Sequence, residues 1–165
     1  MTRLCHGTVA ASMRYLLIDR ITELLPPERA TGVKCVSLAD DVFVDHFPGH
    51  PILPGALIVE GLAQLGGVLL EATVKQRGLS EHHALLTIIE RAKFRRPVRP
   101  GDRMELEANV LACRDEGGQV RALARVDGQV VAEAELSFAF APVTSPALIA
   151  KRAEYLRIWL HGDSG

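Results

Sequence analysis

The sequence predicts an α+β fold, one long central helix wrapped by an antiparallel β-sheet. Two observations carry this. From Pro54 to Arg77 there is no further proline, and the stretch is apolar almost all round through Leu57, Ile58, Val59, Leu62, Leu65, Val68 and Leu69. A helix of that length spans about 36 Å, and one apolar on most sides is buried on most sides. Later, Met104, Leu106, Ala108, Val110 and Ala112 alternate with Glu105, Glu107, Asn109 and Cys113. That period of two belongs to strands with one buried face.

The elements follow in order. Residues 1–13 are weakly patterned. Residues 15–24 place Leu16, Ile18 and Leu24 among more polar positions, as in a strand, and Pro26-Pro27 makes a turn. Residues 30–38 read as a second strand. The decapeptide His46-Phe47-Pro48-Gly49-His50-Pro51-Ile52-Leu53-Pro54-Gly55 cannot be regular structure. Its three prolines remove backbone donors and fix φ, and its glycines admit conformations that other residues avoid. Pro54 suits the first helical turn, and Gly78 suits the helix end. Gly61, Gly66 and Gly67 each cost about 1 kcal/mol in a helix interior, which implies close approach of other backbone.

Residues 80–83 form a polar connection and 84–95 a strand, interrupted by Pro97 and Pro100-Gly101. Beyond the alternating run from Met104, Asp115-Glu116-Gly117-Gly118 turns the chain. Val120 to Val126 alternates again, Asp127-Gly128 marks a two-residue hairpin, and Val130, Ala132, Ala134, Leu136 and Phe138 share one face of the last strand. Pro142 ends the sheet, and Ser145-Pro146 caps an amphipathic helix whose Leu148, Leu156 and Trp159 side is expected to be covered.

At 165 residues, one domain with a real core is expected. A net charge of −1 shows no global bias toward nucleic acid. Cys5, Cys35 and Cys113 are odd in number and widely spaced, so a reducing, cytoplasmic setting is the default and no signal peptide is read. Glu60, Gln64, Glu71 and the glycines argue against the long helix being a membrane span.

Candidate chemistry gathers in the loop and the helix after it. An imidazole titrates near neutrality, so His46 in the shaped loop is a candidate general base. Glu60 lies on the apolar helix with Gln64 one turn on, within hydrogen-bonding reach, and reads as an acid rather than a structural carboxylate. Free amides and the helix dipole at Gly55 can polarise a carbonyl, although the glycine also serves the turn. His46 and His50 do not make a metal pair: Pro48-Gly49 between them excludes a helix, and no third ligand stands nearby in sequence. His50 fits a substrate or a structural role equally. Six cations from Arg91 to Arg103, among them Arg95, Arg96 and Arg99, fit either a docking face for an acidic partner or a charged edge strand that resists sheet extension.

The run from His46 to Gln64 closely resembles the active-site segment of the hot-dog-fold 3-hydroxyacyl-acyl-carrier-protein dehydratases of type II fatty acid synthesis. Ile89 to Val98 with Pro100-Gly101-Asp102, and Val126 to Ala134, resemble the same family in the same order. Many relatives carry an aromatic residue near the start of the strand where Ala84 and Leu85 stand here, and a proline before the element seen as Leu16 to Arg20. The resemblance implies a single hot-dog domain over residues 1–141, with 142–165 as an extension carrying the amphipathic helix. It further implies reversible dehydration of 3-hydroxyacyl thioesters to trans-2-enoyl thioesters. By that resemblance His46 and Glu60 are expected to be catalytic, and Gly55, Gln64, Phe47, His50 and Pro54 to bind substrate. No cofactor is needed, because the thioester acidifies C2. Acyl carrier protein is the expected partner, and the resemblance implies a homodimer or trimer of dimers with sites shared between subunits. A hot-dog thioesterase and a non-catalytic acyl-thioester binding module remain open, and the joint presence of His46 and Glu60 favours the dehydratase.

Overall fold

The structure is a computed structural model and describes residues 15–79 and 81–160. Residues 1–13, weakly patterned in sequence, lie outside the described residues. Six antiparallel strands form one sheet: β1 Arg20–Leu25, β2 Arg29–Cys35, β3 His82–Phe94, β4 Arg103–Cys113, β5 Gly117–Val126 and β6 Gln129–Pro142. Their order across the sheet is β1-β2-β4-β5-β6-β3, so β3 ends at an edge although it comes third in the chain. Helix α1, Gly55–Lys75, touches all six strands, and α2, Pro146–Leu160, packs near β1.

The core is the apolar face of α1 against the inward side chains of the sheet. Leu62, Leu65 and Leu69 meet Leu106, Ala108, Val120, Ala122 and Leu136, all essentially without solvent contact. By length and composition α1 is apolar enough to cross a membrane, but 72% of that window is buried inside the fold. Its apolar surface is already covered.

The hairpin at Asp127-Gly128 forms as the dipeptide predicts, with φ of 51° and 74° at the two turn residues. Gly61 also behaves as expected, since a Cβ there would come within 3.0 Å of the Leu17 carbonyl oxygen. The reason differs at the other two helix glycines. A Cβ at Gly66 would strike the Val120 side chain at 2.7 Å, and one at Gly67 would make only ordinary contacts with Phe138 and Ala84.

Several boundaries move from the sequence-based expectation. The first strand begins at Arg20, not at residue 15, because the preceding backbone is bound elsewhere. The Tyr15 carbonyl and Leu17 amide pair with Gln64, and the Ile18 carbonyl accepts the Trp159 indole N–H at 2.8 Å. The second strand stops at Cys35, short of residue 38. Pro54 is the N-cap of α1 rather than its first helical residue, and α1 ends at Lys75, with Gly78 at φ 89° just beyond. Strand β3 starts at His82, so the polar connection is shorter than expected. In β6, Val131 is buried beside Ala132, whereas Val130 is only half-buried. The register explains this: Ala124 pairs with Ala132 and Arg125 with Val130, leaving Val131 as the extra residue of a bulge.

Helix α2 is covered less than expected. Trp159 is 1% exposed, and Leu156 is partly buried against the core, but Leu148 is 61% exposed. Only the C-terminal half of the helix reaches the body of the fold through its apolar side. Nearer its start, Arg152 bonds Glu71 of α1 through Nε and Nη2, at 3.1 and 3.0 Å.

Candidate active site

The loop before α1 is a stack of local hydrogen bonds. Phe47 and His50 exchange backbone bonds around Pro48-Gly49, with φ of 75° at Gly49, as a type II turn requires. His46 and Ile52 close the next layer. The Ile52 amide donates to the His46 carbonyl at 3.1 Å, and the Ile52 carbonyl lies 2.9 Å from His46 Nδ1. A carbonyl only accepts, so Nδ1 carries the hydrogen, which leaves Nε2 as the acceptor of the neutral ring. The Leu53 amide then donates to the Val98 carbonyl at 2.8 Å, stitching the loop to the chain after β3. The imidazole stacks on the Phe47 ring with centroids 4.2 Å apart.

His46 lines a cavity of about 480 Å³ with Gly55, Ile58, Phe94 and Arg95 among its walls. Gly55 opens α1 here, and its backbone amide is one of the unpaired donors of a helix N-terminus. Phe94, which the sequence reading did not single out, lies directly on it: a Cβ at position 55 would approach the ring at 2.7 Å. Pro54 is the helix cap and not a wall of this cavity, and its carbonyl accepts the Leu57 and Ile58 amides.

Glu60 lies one and a half turns further along α1 and faces a second cavity of about 390 Å³, which also holds Gln64 and Gly67. Gln64 is held at both ends. Its carbonyl oxygen accepts the Leu17 amide at 3.1 Å, so its amide nitrogen must point the other way. That nitrogen donates to Glu60 Oε1 and to the Tyr15 carbonyl, both at 3.0 Å. Glu60 is half-buried rather than enclosed in the core, and it is one of the residues that line the cavity. Within one chain, therefore, His46 and Glu60 line different cavities.

Of the remaining candidates, Arg95 and Arg96 line the His46 cavity, whereas Phe47, His50 and Arg99 line neither cavity. Phe47 and His50 are exposed, and His50 Nε2 accepts from Arg99 Nη2 at 3.2 Å. Arg95 pairs with Glu133, and this bond, with the nearby cations, holds the Glu133 carboxyl below the usual range. Arg96 is exposed and makes no ion pair among the described residues. Sequence reasoning also passed over the Glu71, His83 and Arg152 cluster at the far side of the Glu60 cavity. Its signal was available for Glu71, which falls eleven residues after Glu60 and so on the same helix face.

Solved structures place this architecture among the hot-dog proteins. A dehydratase heterocomplex, ApeI:P from Xenorhabdus doucetiae, aligns with TM-score 0.62 at 19% identity, covering 84% of this chain and 90% of that one. A hot-dog-like protein from Thermanaerovibrio acidaminovorans aligns with TM-score 0.58 at 18% identity, covering 78% and 90%. The fold is a hot-dog fold. At the level of sequence, the family model of the FabA-like domain matches residues 10–135, and the chain belongs to that family. It is 48% identical over 123 residues to a 3-hydroxyacyl-[acyl-carrier-protein] dehydratase FabZ of Campylobacter jejuni, covering 74% of this chain and 84% of that protein. A protein of the same description from Bacillus velezensis is 43% identical over 125 residues, covering 76% and 86%.

Proposed function

We propose that this protein is a 3-hydroxyacyl-acyl-carrier-protein dehydratase, which removes water from a 3-hydroxyacyl thioester to give the trans-2-enoyl thioester. The observation that carries the reading is a family member's two-part acid–base set: His46 with Nε2 free, and Glu60 oriented by Gln64. A thioester-binding module needs neither group, and the hot-dog fold alone does not separate dehydratases from thioesterases.

The chemistry follows from the groups. His46 Nε2 takes the proton from C2, which the thioester carbonyl acidifies, while the Gly55 amide holds the carbonyl oxygen as charge develops on it. Glu60 gives its proton to the C3 hydroxyl, which leaves as water with the C–O electrons. The double bond forms from the C2–H electrons. At the end His46 is protonated and Glu60 is ionised, and a proton passing from one to the other through water restores the site.

The two cavities belong to one site only if a second copy brings them together. Strand β3 supports this. It is an edge strand whose Leu85, Ile88, Ile89 and Phe94 are all exposed, apolar on both faces, and an unpaired edge of that kind calls for a covering strand. A second copy pairing there makes a homodimer in which His46 of one subunit serves Glu60 of the other, and a trimer of dimers is built on the same unit.

Arg96, with Arg95 and Arg99 beside it, is the docking face for an acidic acyl carrier protein in this reading. Phe47, His50 and Pro54 bind substrate in this reading. Residues 142–165 form an extension to the domain, and the setting is cytoplasmic, where Cys35 and Cys113 stay free thiols.

The test is direct. A 3-hydroxyacyl thioester incubated with the protein gives the enoyl thioester and water, read by mass spectrometry, and a crotonyl thioester is hydrated in reverse. Free acid and thiol as products would make the protein a thioesterase instead. Tight binding without turnover would make it a binding module.

A further inference from the structure

The face of α1 that carries Glu60 continues through Gln64 and Gly67 to Glu71, at helical spacings of four, three and four. The cavity of about 390 Å³ along it has two unlike ends. Glu60 and Gln64 stand at one. Glu71, His83 and Arg152 stand at the other, about 16 Å further along the axis at the rise of an α-helix. Between them the walls are apolar, formed by Ala63, Ala84, Leu85, Leu86 and Phe138.

The far end is fixed in place. Glu71 Oε2 accepts Arg152 Nε and Nη2 at 3.1 and 3.0 Å, while Oε1 accepts the Ala84 amide at 3.1 Å and lies 3.4 Å from His83 Nδ1. The side chains are 14% and 22% exposed for Glu71 and Arg152. Neither can swing aside without leaving a half-buried charge unpaired, which is strongly unfavourable. Arg152 is held from its own helix as well: its guanidinium stands 5.7 Å over the Trp159 ring, whose N–H is anchored on the Ile18 carbonyl.

We propose that the Glu71–Arg152 pair closes the far end of the Glu60 cavity and limits the length of the acyl chain this protein accepts. The inference rests on the dehydratase reading above. A chain that ends among the apolar walls loses only apolar contact with water, which is favourable. A longer saturated chain drives its methyl end against the pair and strips water from its open edges with no hydrogen bond in return. Arg152 comes from α2, beyond residues 10–135 of the family match, so this chain's own extension sets the limit.

The experiment measures kcat/KM for the full-length protein on saturated thioesters from 3-hydroxybutyryl to 3-hydroxyoctadecanoyl. The wild type is expected to favour the shorter members. Glu71→Leu combined with Arg152→Leu removes both charges together, so neither is left unpaired. That pair should raise the ratio of long-chain to short-chain kcat/KM by about tenfold, equivalent to about 1.4 kcal/mol. Glu71→Gln with Arg152→Gln keeps a polar end and should leave the ratio within about twofold of wild type.

A wild type that turns over long chains as well as short ones overturns the proposal, whether or not the variants fold. So does a folded leucine pair whose ratio is unchanged. If no thioester of any length is turned over, the dehydratase reading is what fails. Dissociation constants of the same series then still report whether the cavity has a length limit.

Discussion

Gln64 Nε2 lies 3.0 Å from Glu60 Oε1, and the Leu17 amide, by occupying the Gln64 carbonyl, decides which way that contact runs. Glu60 is thus aimed by a residue whose own orientation is dictated by backbone before β1. Gln64→Ala should lower kcat about tenfold, the worth of about one hydrogen bond. Because Gln64 acts through Glu60, the loss should fall on kcat with KM little changed. A lower melting temperature with an unchanged kcat would mean that Gln64 only ties the backbone of residues 15–17 to α1.

His46→Ala and Glu60→Ala should each leave a folded oligomer and lower turnover by 10²–10⁴-fold, the usual contribution of a general acid or base. Glu60→Gln should be equally poor, since an amide cannot supply the proton. The two cavities that hold these residues are separate within one chain, so the decisive measurement is complementation. Mixed under subunit exchange, the two alanine variants should recover up to about one quarter of wild-type activity, because a heterodimer has one intact and one doubly altered site under two-fold symmetry. No recovery despite proven exchange would place both residues of a site in one chain.

Reversing Arg95 and Arg96 to Glu should weaken carrier-linked substrates far more than pantetheine thioesters. The two positions are not equivalent. Arg95 is already bonded to Glu133, whereas the Arg96 guanidinium is exposed, so Arg96→Glu alone should produce most of the effect. Equal losses on both substrate types would point to damage at the neighbouring His46 cavity and not to docking.

Trp159→Ala should destabilise the protein by about 3–5 kcal/mol, as for a large buried aromatic side chain, because Trp159 is fully covered and its N–H satisfies the Ile18 carbonyl. Truncation after Pro142 should cost at least as much and also free Glu71 from Arg152. Denaturant midpoints measure both. An unchanged midpoint would show that α2 adds nothing to the stability of the fold.

The sequence by itself determined the elements and most of the candidate residues. Prolines and glycines in the His46 loop, a proline-free and largely apolar run after Pro54, and alternation within the strands between Met104 and Phe138 are local signals, and each follows from backbone sterics or side-chain period. Asp127-Gly128 placed its hairpin because both residues tolerate positive φ. Only the tertiary structure decided where hydrogen bonds go when the chain has a choice. Residues 15–18 read as a strand, yet their polar groups are claimed by Gln64 and Trp159, residues 47 or more positions away. The bulge at Val131 depends on the register of β5, and the exposure of Leu148 depends on how α2 is tethered. The closure of the Glu60 cavity is of the same kind. It joins Glu71 to Arg152 across 81 positions, and no local pattern can specify a pair that only packing brings together.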